Sequence, residues 1–348
     1  MSNRCPRCSV IIPTHNRSTV VARAIDSVLD GVPATELEVI VVDDASTDAT
    51  QALLTATYAD DHRVMRLATP VNLGPAAARN LGLGAATGEW VLFLDSDDTL
   101  LPDALACGLQ AFRCVPAMQY LSLEGEAWSA DRRMDMRQIV RALNPGWRTP
   151  AFRPRALTRT LIDAPAGCAR GRLVLESGDL FPAILHGDLF WLSGLIMRRA
   201  AALRAGPFNV RYRNLEDWDF TARLCRCGIG GYLDHVGFRR EIGRSDQLSH
   251  AGNRYRRAIM HERIIEDLRV RDDATRSMAP RLLVRARAAA DYCLGCRLLE
   301  RHHPRLARAF FWRALRAAYK PLRTLAWLAG GVRLGELVHG LRMRARTQ

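Results

Sequence analysis

Short β-branched runs alternate with amphipathic stretches through the first hundred residues, and this alternation restricts the fold more than any other feature. It is typical of βαβ units, which build a mostly parallel sheet flanked by helices. We predict strands at residues 9–12, 37–42, 64–67 and 90–94, and helices at 18–29, 48–58 and 75–86. A further apolar strand is predicted later in the chain, at residues 191–197. Ligands of open α/β sheets bind beyond the carboxyl ends of the strands. One crevice is therefore expected among the loops that follow the strands, 14–17, 43–48, 72–75 and 95–98.

Three carboxylates leave the core together at the end of the fourth predicted strand, where Asp95, Asp97 and Asp98 lie within four residues. Carboxylates this close repel one another unless a cation neutralises them. Hard oxygen ligands suit Mg²⁺ or Mn²⁺, which commonly takes its other ligands from water and substrate phosphates. The alternative is a solvated turn in which Asp98 or Thr99 caps a helix that leads into Pro102.

The loops after the second and third strands carry groups suited to a bound nucleotide. Asp44 can accept a hydrogen bond from a base or ribose, and Ser46 or Thr47 can cap the next helix. Gly74 has no side chain to keep a ligand from the backbone, and Arg79 follows as a candidate phosphate or base contact. Each signal alone is weak, so the inference depends on their occurring together.

Taken together, these segments resemble glycosyltransferase family 2, the inverting enzymes with the GT-A fold. The matching motifs are Ser9-Val-Ile-Ile-Pro-Thr-His-Asn-Arg17, Val41-Val-Asp-Asp-Ala-Ser-Thr-Asp48, Asn72-Leu-Gly-Pro-Ala-Ala-Ala-Arg-Asn80, Gly88-Glu-Trp-Val-Leu-Phe-Leu-Asp-Ser-Asp-Asp98 and Glu216-Asp-Trp-Asp219. They cover residues 9–112 and, with fewer matches, 190–250. The resemblance implies an α/β fold of the GT-A type, with a Rossmann-like, mostly parallel central sheet flanked by helices.

The resemblance also implies a donor site. Asp44 is expected to contact the nucleobase, Asp95 to lie near the ribose, and Asp97 to bind the Mn²⁺ or Mg²⁺ that bridges the diphosphate. The base pocket is expected to include residues of the first motif, namely Pro13, Thr14 and Asn16. The remaining expected donor-site residues are Gly74, Arg79 and Ser96.

The Glu216-Asp217 pair matches the motif in which the family places its catalytic base. We expect Asp217 to be the base, with Glu216 beside it and Asp219 in reserve. Such a base is needed because the pKa of an acceptor hydroxyl lies far above neutral, and the metal would stabilise the departing nucleoside diphosphate. The alternative is an acidic first turn favoured by the helix dipole. Trp218 either stacks on an acceptor sugar or packs in the core.

Two regions depart from the family pattern. Many relatives have a Tyr-Arg-x-His stretch after the acidic helix, whereas residues 238–245 lack the His and offer Arg239, Arg240 or Arg244 for the diphosphate. Residues 121–185 lose the strand-helix rhythm and are predicted to be an insertion or lid. The predicted parts are a catalytic domain 1–250, with a nucleotide-sugar half 1–120 and an acceptor half 186–250, and a basic helical region 251–348.

The predicted function is sugar transfer from a nucleotide-diphosphate donor, with a UDP-sugar favoured, to a hydroxyl of a glycan or lipid-linked acceptor in cell-surface polysaccharide synthesis. A nucleotidyltransferase would carry a Gly-rich loop after the first strand, and residues 13–17 contain no glycine. A catalytically inactive GT-A-like binding module remains the alternative, although it predicts loss of the carboxylates that are present here.

The basic excess lies in the C-terminal region. Residues 251–348 contain 22 Arg or Lys against 8 Asp or Glu, which accounts for the whole formal net charge of +14. This excess favours contact with an anionic membrane surface or an acidic partner. Nucleic acid is not expected because no recognition motif is present. Pro321 and Gly330-Gly331 should divide residues 307–340 into at least two short helices, which would lie on an anionic membrane surface. The alternative is that their aromatic side chains pack as ordinary core.

Compartment and thiol chemistry follow from the same sequence. No stretch reaches the roughly 18 apolar residues of a membrane span, and the N-terminus lacks a signal-peptide core. The expectation is a cytoplasmic enzyme, peripheral at the cytoplasmic face of the membrane. Nine scattered cysteines favour reduced thiols. The pairs Cys5/Cys8 and Cys293/Cys296 have zinc-like spacing but no His at matching spacing.

Overall fold

A computed structural model describes residues 8–31, 37–128, 136–144, 157–212, 214–241, 254–273 and 280–328. The chain divides into two compact units, Met1–Asp246 and Gln247–Gln348. The described part of the first unit is α/β, and that of the second is helical. This division lies close to the boundary predicted at residue 250.

The first half of the α/β unit alternates strands and helices. Its elements are β1 (Cys8–Thr14), α1 (Val21–Leu29), β2 (Leu37–Asp43), α2 (Thr50–Tyr58), β3 (Val64–Ala68), α3 (Pro75–Ala85) and β4 (Trp90–Phe93). β1 and β4 are buried along their whole length, as is usual in parallel sheets covered by helices. In α1, Val21, Ala24, Ile25 and Val28 recur at helical spacing and join the same core. The predicted strands and helices are confirmed, with ends shifted by a few residues.

The second half of the unit completes the sheet. Its elements are β5 (Asp98–Leu100), α4 (Ala104–Cys114), β6 (Tyr120–Trp128), β7 (Met136–Arg137), α5 (Ile139–Leu143), β8 (Leu157–Asp163), β9 (Arg172–Gly178), α6 (Phe181–Ile184), a 3₁₀ turn (Leu192–Gly194), β10 (Leu195–Arg198), α7 (Arg199–Ala205), α8 (Glu216–Cys225) and β11 (Gly230–Glu241). The strand order is β3-β2-β1-β4-β10-β6-β11-β9-β8, with β5 on β11 and β7 on β6.

The two halves of the sheet differ in strand direction. β3, β2, β1 and β4 are parallel neighbours, whereas β10 runs antiparallel between β4 and β6. β11 is parallel to β6 but antiparallel to β9 and β5. The predicted GT-A class is confirmed, and its parallel character is concentrated in the first half.

The prediction of an insertion or lid at residues 121–185 is wrong for β6, which belongs to the central sheet, and stays a prediction for the rest of the segment. β6 lies inside the sheet between β10 and β11, and β8 pairs with β9 as an antiparallel hairpin at the sheet edge. β8 was difficult to predict because most of its side chains are exposed or half-buried, so its apolar pattern is weak. Residues 129–135 and 145–156 lie outside the described ranges.

The sheet geometry brings the functional loops together. β1, β2 and β4 are parallel, so the chain leaves all three at one edge of the sheet. Asp98 of β5 pairs with Arg240 of β11, which carries the end of β11 to the loop after β4. The crevice predicted from the strand ends therefore also receives basic residues from β11.

The second unit packs its own aromatic side chains. Helices α9 (Arg254–Asp273), α10 (Pro280–Glu300) and α11 (Pro304–Arg316) are followed by a helix at 321–328, so the predicted break at Pro321 is confirmed. Phe311 is buried and stacks on Trp327 at a centroid distance of 5.8 Å. Trp327 Nε1 donates to the Tyr292 hydroxyl at 3.2 Å. Phe311 is thus core of the helical unit, with the half-buried Tyr292 and Trp327 packed against it, whereas Trp312 is 50% exposed.

None of the helices in the described ranges has the length and hydropathy needed to cross a bilayer. Residues 329–348, which include part of the predicted amphipathic segment, lie outside those ranges.

Candidate active site

The loops after β1 and β2 are joined through the side chain of Asn16. This residue adopts the left-handed region with φ 52°, which asparagine tolerates better than most residues. Its Oδ1 accepts hydrogen bonds from the amides of Thr47 and Asp48, at 2.8 and 3.3 Å. The backbone N–H of Asn16 donates to Ser46 Oγ at 2.9 Å. Asn16 therefore shapes the predicted base pocket, although its side-chain acceptor is already engaged by the neighbouring loop.

Asp44, predicted to contact the nucleobase, organises the loop that precedes α3. Its Oδ1 accepts from Thr69 Oγ1 at 2.7 Å and from the Leu73 amide at 2.9 Å, and Oδ2 accepts from the Gly74 amide at 2.7 Å. A carboxylate has about four acceptor positions, so these three bonds leave one on Oδ2. Gly74 has φ 88°, a conformation that favours glycine.

The other predicted donor-site residues of the first strand are buried. β1 continues through Pro13 to Thr14, two residues beyond the predicted end. Proline is tolerated there because β4 pairs only as far as Ile11 and requires no amide from Pro13. Thr14 Oγ1 has no hydrogen-bond partner among the described residues. It is a free polar group at the edge where the loops meet.

The carboxylates after β4 form a compact cluster. Asp95, Asp97 and Asp98 can each place one oxygen within 4.8 Å of the others. Asp98 is buried, and its Oδ2 accepts from Ser193 Oγ at 2.6 Å. Burial together with Asp95 and Asp97 raises the pKa of Asp98 to about 8, against the opposing effect of Arg240. Ser96, between these acids, is itself buried.

The pKa values of Asp97 and Asp95, the other two acids of the cluster, shift in opposite directions. Burial and Asp95 raise the pKa of Asp97 above its ordinary value. Burial alone would also raise the pKa of Asp95, but Arg79, Arg240 and Arg17 hold it below the ordinary value. Asp95 is therefore the most firmly ionised of the three acids.

The fit to a cation can be judged from the cluster itself. Three carboxylates converge, and the buried Asp98 Oδ1 has no hydrogen-bond partner within the described ranges. Oxygen-only donors suit Mg²⁺ or Mn²⁺. The residues present therefore fit the divalent cation that the sequence predicted, with Asp97 among its candidate ligands.

Arg240 is the basic residue that faces the cluster. Its guanidinium lies 4.2 Å from the centroid of the Trp191 ring. Burial by itself lowers its pKa, but the negative charges of Asp98, Asp95, Asp97 and Asp217 together raise it. Of the three arginines proposed for the diphosphate, Arg239 instead pairs with Glu126, and Arg244 lies outside the described residues.

Arg79 does not extend toward a ligand as the sequence suggested. Its guanidinium is buried and donates to Asp95 Oδ1 at 2.9 Å and to Glu216 Oε1 at 3.0 Å. The charge also lies 5.5 Å from the centroid of the Phe208 ring. Arg79 therefore joins the acidic loop after β4 to the first turn of α8. The sequence placed a cation on α3 but could not show that two carboxylates enclose it.

The three acids at the start of α8 have different surroundings. Glu216 is buried against Arg79, and burial followed by the charge of Asp217 raises its pKa. Asp219 is 1% exposed and pairs with Arg223 at 2.7 Å, whose Nη2 also donates to the Pro207 carbonyl at 2.9 Å. Asp217 is exposed. Only Asp217 thus offers a carboxylate to a molecule bound outside the helix.

Trp218, for which stacking on a sugar was one alternative, belongs to the core. It is buried, and its Nε1 donates to the Ile184 carbonyl at 2.9 Å. Ser193 is a site residue that sequence reasoning missed. Its hydroxyl donates to Asp98 and lies 3.3 Å from the Asp95 amide. It lies in the 3₁₀ turn before β10, where the sequence pattern predicted a continuous strand from residue 191.

Comparison with known proteins identifies the family. Residues 9–117 match the family described as Glycosyl transferase family 2. Succinoglycan biosynthesis protein ExoO of Rhizobium meliloti (strain 1021) is 40% identical over 249 residues, covering 67% of this chain and 62% of ExoO. Chondroitin synthase of Escherichia coli is 33% identical over 239 residues, covering 69% of this chain and 29% of that protein. The chain thus spans less than two thirds of the length of these relatives.

Solved structures show the same fold. Staphylococcus aureus TarS 1–349 in complex with UDP-GlcNAc aligns with a TM-score of 0.55 and 19% identity, covering 91% of each chain. The complex of the same protein with UDP has a TM-score of 0.53. The strand-end motifs, the family match and the GT-A fold agree, and this chain belongs to glycosyltransferase family 2.

Proposed function

We propose that this chain is a metal-dependent, inverting glycosyltransferase that uses a nucleotide-diphosphate sugar as donor. The observation that carries the proposal is the joining, through Arg79, of the carboxylate cluster after β4 to the helix that presents Asp217. A donor held at the cluster and an acceptor beside Asp217 would then share one crevice. The backbone of Arg240 pairs with Asp98, and the negative charges of the cluster and of Asp217 together raise the pKa of its guanidinium.

In this proposal each acid has a separate task. Asp97, with Asp95 and Asp98 beside it, would hold Mn²⁺ or Mg²⁺, which when bound supplies positive charge for the diphosphate. Arg240 adds a fixed positive charge on the same side and offers hydrogen bonds to phosphate oxygens. Ser193 and Arg79 hold the acids in place, because each donates to a carboxylate of the cluster.

The reaction follows from this arrangement. Asp217 accepts the proton of an acceptor hydroxyl as its oxygen forms a bond to the anomeric carbon. The bond from that carbon to the diphosphate oxygen breaks on the opposite face, so the configuration is inverted. The leaving nucleoside diphosphate carries the bonding electrons away. Asp219 is unsuited to this role because its carboxylate is enclosed with Arg223.

The donor and acceptor are proposed by likeness. TarS 1–349 was crystallised with UDP-GlcNAc, which favours a UDP-sugar here. ExoO is a succinoglycan biosynthesis protein, and another relative, 41% identical over 106 residues, is a GalNAc(5)-diNAcBac-PP-undecaprenol beta-1,3-glucosyltransferase of Campylobacter jejuni. These names favour a glycan or lipid-linked acceptor in cell-surface polysaccharide biosynthesis. Screening nucleotide sugars with Mn²⁺ for a rise in melting temperature would identify the donor.

We further propose that the enzyme works in the cytoplasm and touches the membrane surface through its helical unit. Leu306, Trp312, Leu322 and Leu325 remain exposed there, among the arginines that give this region its positive charge. Apolar side chains at the acyl boundary, with Arg at anionic headgroups, would hold such a surface on a membrane. The proposal rests on these exposed residues, since Phe311 is buried and Trp327 is half-buried against it.

The first prediction concerns the base. Asp217→Asn should lower turnover by a factor on the order of 10² to 10⁴ while donor affinity changes only a few-fold, because the carboxylate acts on the acceptor. Steady-state kinetics and donor titration measure both quantities. Asp219→Asn is the matched comparison and should mainly destabilise the fold, by about 3–5 kcal/mol, since it leaves a buried arginine unpaired.

Near-normal turnover of Asp217→Asn would refute the assignment of the base. Absence of sugar transfer by the unmodified chain, with nucleotide still bound, would favour the inactive binding module instead.

The second prediction concerns the metal. Asp97→Ala should abolish the Mn²⁺-dependent part of UDP binding and most turnover, because a carboxylate ligand is lost. Isothermal titration with UDP, with and without Mn²⁺, separates this part from the rest. Asp60→Ala, which changes an exposed acid outside the cluster, is the control and should bind as the unmodified chain does. Unchanged metal dependence in Asp97→Ala would contradict the assignment.

The third prediction concerns the membrane surface. The full chain should sediment with anionic vesicles at low salt and dissociate as salt rises, since each basic residue near such a surface contributes ~1 kcal/mol. Replacing Trp312 and Leu322 by Ser should weaken this binding several-fold. The control is Leu203→Ser, which changes an exposed leucine of the α/β unit. Failure of the unmodified chain to sediment at low salt would refute the proposal.

A further inference from the structure

A second group of metal-ligand side chains lies apart from the Asp95–Asp98 cluster. It consists of Asp103, Cys107, Cys168 and His235, whose ligand atoms all lie within 4.8 Å of one another. Both cysteines are free thiols. The proposed sugar transfer uses none of these four residues. Among the described residues, this is the one candidate metal group that contains sulfur and nitrogen donors.

Three separate parts of the fold build this group. Asp103 immediately precedes α4 and Cys107 lies one turn later, so their side chains project from one face of the helix. Cys168 lies in the loop between β8 and β9, in a turn where its amide donates to the Pro165 carbonyl at 3.2 Å. His235 comes from β11. Cys168 and His235 lie far along the chain from Asp103 and Cys107, so no Cys-x-x-Cys spacing reveals the group.

An irregularity of β11 helps to place His235. The pairing of β11 with β6 shifts between Leu233 and Val236, so Asp234 and His235 are extra residues on β11. Such bulges re-aim side chains that regular pairing would direct elsewhere. The ring of His235 is buried, and its Nε2 lies 3.1 Å from Asp103 Oδ1.

We propose that these four residues form a tetrahedral zinc site. Two thiolates, one imidazole and one carboxylate are donors that Zn²⁺ accepts in four-coordinate sites. Zinc bonds of about 2.0–2.3 Å place tetrahedral ligand atoms roughly 3.3–3.8 Å apart. Because no two ligand atoms of the group need be more than 4.8 Å apart, reaching that geometry requires contractions of about 1.5 Å at most.

Burial of the group suits an ion that is held permanently. Cys107 is fully buried, whereas Cys168 is half-buried and the Asp103 side chain is 29% exposed. One side of the group is thus open to solvent, which gives an ion a route of entry. On binding, the two thiols release their protons to solvent and each sulfur binds zinc as thiolate.

The site would have a structural role. Four protein ligands leave no open position for a water or substrate, as in closed structural zinc sites. The ion would tie the β8–β9 loop to the start of α4 and to β11. That loop belongs to the hairpin at the sheet edge, whose outer strand has no other neighbouring strand among the described residues.

Metal analysis of the full chain tests this proposal. Protein purified under reducing conditions should contain about one zinc per chain after dialysis against a weak chelator. The variant Cys107→Ser/Cys168→Ser should retain less than about one tenth of that amount. Cys293→Ser/Cys296→Ser, which also removes two thiols, should keep the full amount.

A second measurement covers the case in which the thiol variant does not fold. The unmodified chain reconstituted with Co²⁺ should show a sulfur-to-cobalt charge-transfer band and tetrahedral ligand-field bands. His235→Asn should alter both, while circular dichroism reports the fold. Unmodified protein without zinc that also fails to bind added Zn²⁺ or Co²⁺ would overturn the proposal. So would a Cys107–Cys168 disulfide found by mass spectrometry, or equal zinc in the thiol variant.

Discussion

The proposed active site depends on one buried cation. Arg79 lies on α3, the helix that connects the parallel strands β3 and β4. Its guanidinium nevertheless binds Asp95, after β4, and Glu216, on α8. Burying an arginine is costly unless its charge is paired, and here two carboxylates from distant segments pair that charge and accept hydrogen bonds from Nη1 and Nη2. Asp95 and α8 are thereby held at a common point. The exposed Asp217 is adjacent to Glu216, so its position is set by the same contact.

The first half of the fold was readable from the sequence because its strands are continuous apolar runs that end in polar loops. Buried parallel strands have this pattern, and helix periodicity fills the gaps between them. The strands of the second half could be predicted less well from the sequence. β8 is largely exposed, and the predicted strand at residue 191 begins as a 3₁₀ turn. Pairing between strands distant in sequence leaves no local signal, so the sequence pattern at residues 121–185 predicts no strands there.

The site was predictable in residue type and less so in role. Sequence placed Asp44, Asp95, Asp97 and Arg79 at strand ends and at the start of a helix, but hydrogen-bonding partners decide what each can do. Asp44 holds the loop before α3, and Arg79 is enclosed between acids. Burial likewise separates three acids that look alike in the motif at residues 216–219. Such distinctions come from tertiary packing, which no local pattern records.

Hydrogen exchange of the full chain tests the claim for Arg79 most directly, comparing the unmodified protein with Arg79→Met. Methionine keeps an unbranched apolar stem but removes the charge, which leaves Asp95 and Glu216 without their shared partner. The account predicts faster exchange in two separate segments, residues 93–100 and the first turns of α8, with α9 to α11 unchanged, because local opening becomes easier where the buried acids lose their cation. Unchanged exchange in α8, with effects confined to α3, would contradict it.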